Sequence, residues 1–140
     1  MPVSNDRLSL ITAVVCDEIR REDSGKELLI GVYSSEIIIP TVPIILVLSF
    51  WIPIEVIRPG KSQGHFRIVG TDGNVVHDLP PLDLEFNAAG TRAALSISGI
   101  GVPMLQRGVF RLDARLDDMD WKELKLTTVR IKSELPTPTL

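Results

Sequence analysis

The chain has 140 residues, of which 44% are hydrophobic and 24% are charged, and its formal net charge is −3. This length and composition are those of a single folded domain and exclude an intrinsically disordered chain. The negative charge and an aromatic content of only 5% also argue against a nucleic-acid-binding surface, which needs clustered cations and stacking rings. We therefore expect no nucleic-acid partner.

The first predicted element is a β-hairpin near the N-terminus. An apolar run from Leu8 to Cys16 leads into a charged segment that ends in Asp23–Lys26, and the apolar run Leu28–Tyr33 follows. Gly25 can adopt the positive φ that a tight hairpin turn requires. The pattern predicts two paired strands that enclose a solvated, charged tip.

The cysteine usage predicts the compartment. Cys16 is the only cysteine, so the chain cannot form an internal disulfide bond. Its apolar surroundings predict a small buried residue rather than a reactive thiol. The N-terminal residues also lack the pattern of a secretion signal. We therefore expect a protein of the reducing cytoplasm.

The next segment, Ile37–Ile57, contains Glu55 as its only ionisable residue and is long enough to cross a bilayer. Three prolines interrupt it, however, and each removes a backbone donor that hydrocarbon could not replace. We therefore expect no membrane partner. The longest uninterrupted piece, Ile44–Ile52, predicts a buried strand.

Both faces of Ile44–Ile52 are apolar, whereas a strand in an antiparallel sandwich usually has one solvated face. The second face must be covered, either by a second copy of the chain or by a crossing loop such as Gly99–Gly108. We favour the second copy and expect a homodimer, because symmetric dimers are the commonest oligomers. The predicted interface residues are Ile37, Ile39, Ile45, Val47, Phe50, Trp51 and Ile52.

The remaining chain continues the β pattern. Asp72-Gly73 predicts a hairpin turn that pairs His77 with Ile68. Apolar and polar residues alternate over Leu82–Asn87 and over Val109–Asp117, as expected of half-buried strands. In the last predicted strand the apolar phase changes, which predicts a bulge near Thr127-Thr128.

These elements predict an all-β fold of about nine strands in two packed antiparallel sheets. An immunoglobulin-like sandwich and a jelly roll both fit this pattern. We assign residues 1–135 to one domain and residues 136–140 to an extended tail.

No constellation of catalytic or metal-binding residues emerges from the sequence. His65 and His77 are the only histidines, and the predicted register places them on opposite faces of their hairpin. Asp83 and Glu85 share one face of a strand without a base to accompany them, which favours a solvated surface. The acidic turn formed by Asp117, Asp118 and Asp120 lacks the spacing of a calcium loop. We expect no catalytic, cofactor-binding or metal-binding residue and no cofactor.

Two ends of the chain carry a family resemblance. The segments Ala13–Arg20, Glu22–Lys26 and Leu29–Tyr33 resemble the N-terminal hairpin of a family of small bacterial domains of unknown function. The pattern from Gly108–Leu112 to Leu124–Leu126 is similar to the final hairpin of that family. The resemblance implies a β-sandwich of bacterial origin and assigns no functional residues.

Three classes of function remain open from the sequence. A non-catalytic interaction or assembly module fits best, because sandwiches bind through loops and edges and no catalytic set is present. A small-ligand or carbohydrate-binding domain is the alternative, and it would use Tyr33, Trp51 or Trp121. A hydrolase that depends on carboxylates or a metal is less favoured.

Overall fold

A computed structural model describes residues 2–136, and they form an all-β structure with one short 3₁₀ helix at Lys132–Glu134. No helix in this part of the chain is long and apolar enough to cross a membrane. The strands, in chain order, are β1 (Val3–Ser4), β2 (Leu8–Leu10), β3 (Val14–Arg21), β4 (Glu27–Tyr33), β5 (Glu36–Ile39), β6 (Ile44–Val56), β7 (Gly60–Val69), β8 (Val75–Asp78), β9 (Leu82–Phe86), β10 (Arg92–Met104), β11 (Gly108–Leu116) and β12 (Lys122–Ile131).

The first sheet, sheet A, is built around the long strand β6. Strand β10 pairs with β6 along one edge, while β2 and β3 pair in succession along the other edge and are flanked by β1 and β4. Pro53 lies where β2 gives way to β3, since Leu10 pairs with Ile54 and Val14 pairs with Trp51. Its missing N–H therefore falls at a break between neighbouring strands, and β6 continues through the proline.

The second sheet, sheet B, has the order β5-β12-β11-β7, with β9 and β8 in succession along the outer edge of β7. Only β5 runs parallel to its neighbour β12. The chain passes from β4 in sheet A to β5 in sheet B through Ser34 and Ser35, whose carbonyl oxygens accept bonds from Lys125 Nζ and Thr128 N. This short connection fixes the direction of β5, so the sheet is mixed rather than wholly antiparallel.

One hydrophobic core lies between the two sheets. Its largest fully buried side chains are Phe50 from sheet A and Phe66 and Phe110 from sheet B. The predicted alternation in β11 is confirmed, because Phe110, Leu112 and the other even-numbered residues to Leu116 are buried. An all-β fold of two packed sheets is thereby confirmed, while the immunoglobulin-like and jelly-roll alternatives both stay predictions.

Several local predictions differ from the structure. Residues 2–136 contain twelve strands rather than about nine, partly because the run Leu8–Cys16 divides into β2 and β3. The bulge in β12 lies at Leu124, between the pairs Leu112–Lys125 and Asp113–Glu123, and not at Thr127-Thr128. Most of the predicted tail, residues 137–140, lies outside the described residues.

Removal of a core ring tests the packing of the two sheets. Replacement of Phe66 by Ala leaves a cavity between them and should lower the free energy of unfolding by about 3–5 kcal/mol. Val109→Ala is the control, because Val109 is 47% exposed on β11 and should change that free energy by less than about 0.5 kcal/mol. Urea unfolding followed by circular dichroism measures both variants, and equal losses would contradict this description of the core.

Candidate functional site

An apolar patch on the outer face of sheet A is the clearest candidate site. Ile45 and Val47 on β6 are 68% and 61% exposed, the two highest values among the large exposed hydrophobic residues. They pair with Pro103 and Gly101 on β10. Pro43 and Leu105 complete the apolar patch, since Pro43, Ile45, Pro103 and Leu105 line one shallow depression of about 360 Å³. None of the six side chains is ionisable.

The alternation of β6 explains this exposure. Its even-numbered residues from Leu48 to Val56 are buried in the core, and its odd-numbered residues face outward. An antiparallel strand alternates in this way whatever its composition, because successive side chains point to opposite faces. Because the neighbouring even-numbered residues fill the core, Ile45 and Val47 must face the solvent.

This alternation corrects the predicted interface. Ile37, Ile39, Phe50 and Ile52 are at most 2% exposed and belong to the core, so they are not available to a partner. Trp51 is half-buried, while Ile45 and Val47 remain exposed. Sequence reasoning missed Pro43, Pro103 and Leu105. The sequence did offer one signal, because Pro103 and Leu105 are two residues apart and would share one face of a strand. The glycines that precede them suggested a loop instead.

The predicted loop cover is wrong. Gly99–Met104 is part of β10 and lies in the plane of sheet A, where it pairs with β6 instead of crossing it. The β3–β4 hairpin covers part of the outer face instead. The Ser49 hydroxyl donates to the Asp17 carbonyl oxygen at 3.4 Å, one residue beyond the Cys16–Ser49 pair at which the β3–β6 ladder ends.

Glu27 anchors the hairpin over the sheet. Its carboxylate accepts a 2.6 Å bond from the Ser96 hydroxyl on β10 and a 3.4 Å bond from Trp51 Nε1 on β6. The adjacent tip, residues 22–26, is fully solvent-exposed, as predicted. The hairpin therefore covers the middle of the outer face and leaves Ile45 and Val47 open.

The bend of the hairpin depends on Gly31 and Asp17. Gly31 has φ +69°, and a Cβ atom there would collide with the Asp17 carboxylate. That carboxylate accepts a 2.7 Å bond from the Tyr33 hydroxyl. Cys16 beside it is fully buried, and burial, reinforced by the charge of Asp17, raises the pKa of its thiol. The prediction of a small buried cysteine is confirmed.

The histidines do not form a pair. His77 lies opposite Ile68, as predicted, and its ring contacts the Gly101 carbonyl oxygen across the core. His65 pairs with Arg115 and packs against the Trp121 ring on the outer face of sheet B. No cluster of three or more His, Cys, Asp or Glu residues that could hold a metal occurs within residues 2–136.

The acidic candidates have structural or solvated positions. Asp83 and Glu85 are exposed on β9, with Leu84 buried between them, as the alternation predicted. Asp117 has φ +53° and accepts bonds from Gln63 N and Asn5 Nδ2. One oxygen bonds to Gln63 within sheet B, and the other bonds to Asn5 between β1 and β2 of sheet A. Because both oxygens are engaged in this way, Asp117 is a structural residue.

The aromatic residues do not form a common platform. Trp51 faces outward from sheet A, whereas Trp121 lies on the outer face of sheet B, on the opposite side of the sandwich. The Tyr33 hydroxyl is bound to Asp17. A carbohydrate site that combines the two tryptophans is excluded by this separation.

No protein-family model matches the chain, and no curated protein matches it. The family resemblance of the N-terminal hairpin stays a prediction.

The titration of Tyr33 tests the bond at the hairpin bend. Its hydrogen bond to Asp17, followed by burial, raises the tyrosine pKa from 10.0 to about 12. Because the folded pKa is above the unfolded value, this group stabilises the fold below pH 10, and the contribution is lost as the pH rises towards about 12. Asp17→Asn should return the pKa towards 10. Phenolate absorbance reports this directly, because Tyr33 is the only tyrosine.

Two glycine substitutions, one at the tip of the hairpin and one at its bend, separate backbone strain from collision. Gly25 and Gly31 both have positive φ, but a Cβ at Gly25 would meet nothing within 4 Å. Gly25→Ala should lower the free energy of unfolding by about 1–2 kcal/mol. Gly31→Ala should cost at least about 1 kcal/mol more, since Asp17 must also move. Similar losses in chemical denaturation, with an unchanged Tyr33 titration, would contradict the proposed packing.

Proposed function

We propose that this protein is a non-catalytic assembly module that forms a homodimer through the apolar patch on sheet A. The observation that carries the proposal is the exposure of Ile45 and Val47 on strand β6, which is paired with β10 at these positions. Full burial of one such side chain is worth roughly 1.5–3 kcal/mol, and a two-fold contact buries each of them twice. The patch contains no charge, so no desolvation of an ion opposes its burial.

Packing of two patches face to face fits better than pairing of two β10 edges. Edge pairing needs a regular row of free backbone donors and acceptors. Strand β10 interrupts that row twice, by the register shift between Ile97 and Ile100 and by Pro103, which has no N–H. Bulges and prolines are the devices with which natural sheets prevent edge pairing. The outer face of the sheet carries no such obstacle at the patch.

The proposed setting is the cytoplasm of a bacterial cell, within the family of small domains whose N-terminal hairpin this chain resembles. The buried, solitary thiol of Cys16 supports a reducing compartment. Enzymatic activity and a cofactor are no part of the proposal. The exposed Asp83–Glu85 pair gives no support to a hydrolase, and the separated tryptophans give none to a carbohydrate site that combines them.

A charge placed in the patch tests the dimer. Val47→Glu should weaken self-association by at least ~30-fold, because an unpaired carboxylate at the contact costs about 2 kcal/mol or more. The matched control is Val75→Glu, since Val75 is 50% exposed on β8 of the other sheet. Light scattering on a chromatographic peak at tens of micromolar should give a dimer for the control and a monomer for Val47→Glu.

Two outcomes would overturn the proposal. If the wild-type protein is monomeric across this concentration range, the patch is not a self-interface. Equal weakening by Val47→Glu and Val75→Glu would assign the effect to net charge, because the two variants carry the same charge on different sheets.

A further inference from the structure

A second surface, on the outer face of sheet B, has the opposite chemistry. A cleft of about 540 Å³ is lined by Trp121, Arg67, Arg115 and His65, which we call its cationic wall, and also by Asp78, Leu79, Pro80 and Pro81. We call it the arginine cleft. It faces away from the apolar patch and does not depend on the proposed dimer.

Trp121 organises the cationic wall of the cleft. The guanidinium carbon of Arg67 lies 4.3 Å from the centre of the indole ring, and that of Arg115 lies 5.0 Å from it. The His65 ring meets the same indole edge-on, with 6.5 Å between ring centres. Stacking on an aromatic face holds a guanidinium in a fixed orientation, which lowers the entropy that a ligand contact would otherwise cost.

The positive charge of this wall is incompletely balanced. Asp113, which is 3% exposed, is shared between Arg67 Nε at 3.1 Å and Arg111 Nε at 2.8 Å. Arg115 forms no ion pair within residues 2–136, and its buried Nε has no hydrogen-bond partner there. One carboxylate thus serves two arginines while a third guanidinium beside them has none.

Asp78 is the remaining charge at the cleft. It lies opposite Arg67 in the β7–β8 pairing and is exposed, but it forms no ion pair within 4.0 Å in the described part of the chain. Its carboxylate would repel an anion in the cleft. It therefore lowers the affinity for an anion and does not accept a hydrogen bond from Arg115.

We propose that the arginine cleft binds a small phosphate monoester with an apolar body. Two guanidiniums on one wall suit a doubly charged oxyanion, because the two terminal nitrogens of each can donate N–H bonds to phosphate oxygens while Arg67 Nε stays bonded to Asp113. Leu79, Pro80 and Pro81 offer an apolar surface for the group that carries the phosphate. A carboxylate has only one negative charge, so its attraction to the two guanidiniums is weaker.

The two tryptophans provide an internal control for the test. Phenyl phosphate, benzoate and inorganic phosphate are titrated at matched ionic strength while the two indole N–H signals are followed by nuclear magnetic resonance. Phenyl phosphate should shift the Trp121 signal and leave the Trp51 signal unchanged, because Trp51 Nε1 is bonded to Glu27 on the opposite sheet. It should bind more tightly than either inorganic phosphate or benzoate.

Three variants locate the binding. Arg115→Gln should weaken phenyl phosphate binding roughly tenfold, because a charge-assisted contact is lost. Arg58→Gln removes the same charge from an exposed loop between β6 and β7 and should leave the affinity unchanged. Asp78→Asn should tighten binding about two- to threefold, because it removes the repelling carboxylate. Should Arg115→Gln fail to fold, Asp78→Asn still carries the test.

Several results would overturn the proposal. If millimolar phenyl phosphate does not shift the Trp121 signal, the cleft does not bind it. If benzoate binds as tightly as phenyl phosphate, the cleft is not specific for phosphate. Equal effects of Arg115→Gln and Arg58→Gln reduce the interaction to general charge attraction, and no gain from Asp78→Asn places the bound anion outside the cleft that Asp78 lines.

Discussion

The two-residue period of β6 is the constraint on which the rest of the structure depends. The strand pairs with β10 along one edge and with β2 and β3 along the other, so its register sets the phase of sheet A. The same alternation that buries Leu48 and Phe50 turns Val47 into solvent. A strand that is apolar on both faces therefore exposes hydrophobic side chains on its outer face unless another element packs over them. The bonds from Ser96 and Trp51 to Glu27 show that the hairpin packs over them only along the middle of the strand.

The parts of the fold that could be predicted are those in which neighbouring residues carry the information. In β11 the even-numbered residues Phe110–Leu116 are apolar and the odd-numbered ones are charged, which fixes the phase without reference to any partner. The pairing of Ile68 with His77 was predicted from the nearby Asp72-Gly73 turn, although a register shift separates it from the Val69–Val75 pair beside the turn. The positive φ of Gly25 and Gly73 was likewise a local property of their turns.

The candidate site was only partly predictable, because its geometry depends on contacts between distant segments. Ile44–Ile52 has no polar alternation, so the sequence could mark the segment as an interface but could not tell Ile45 from the buried Ile52. The parallel pairing of β5 with β12 joins residues about ninety positions apart. Gly99–Met104 suggested a loop because glycine and proline usually interrupt strands, whereas here they lie on an edge strand that tolerates both. The arginine cleft escaped notice because its cations come from two strands and its indole from a turn.

The two outer faces of the sandwich differ in charge, and this difference favours one of them for contact between two copies of the chain. A dimer through sheet B would have to desolvate Arg67, Arg111 and Arg115 around a single buried carboxylate, which the attraction to Asp113 would not offset. A dimer through the apolar patch of sheet A would bury only uncharged side chains. The second arrangement also leaves Trp121 facing solvent on both protomers, on the sides away from the contact. The electrostatic cost would therefore direct the proposed self-association to sheet A and would keep sheet B open for the proposed ligand.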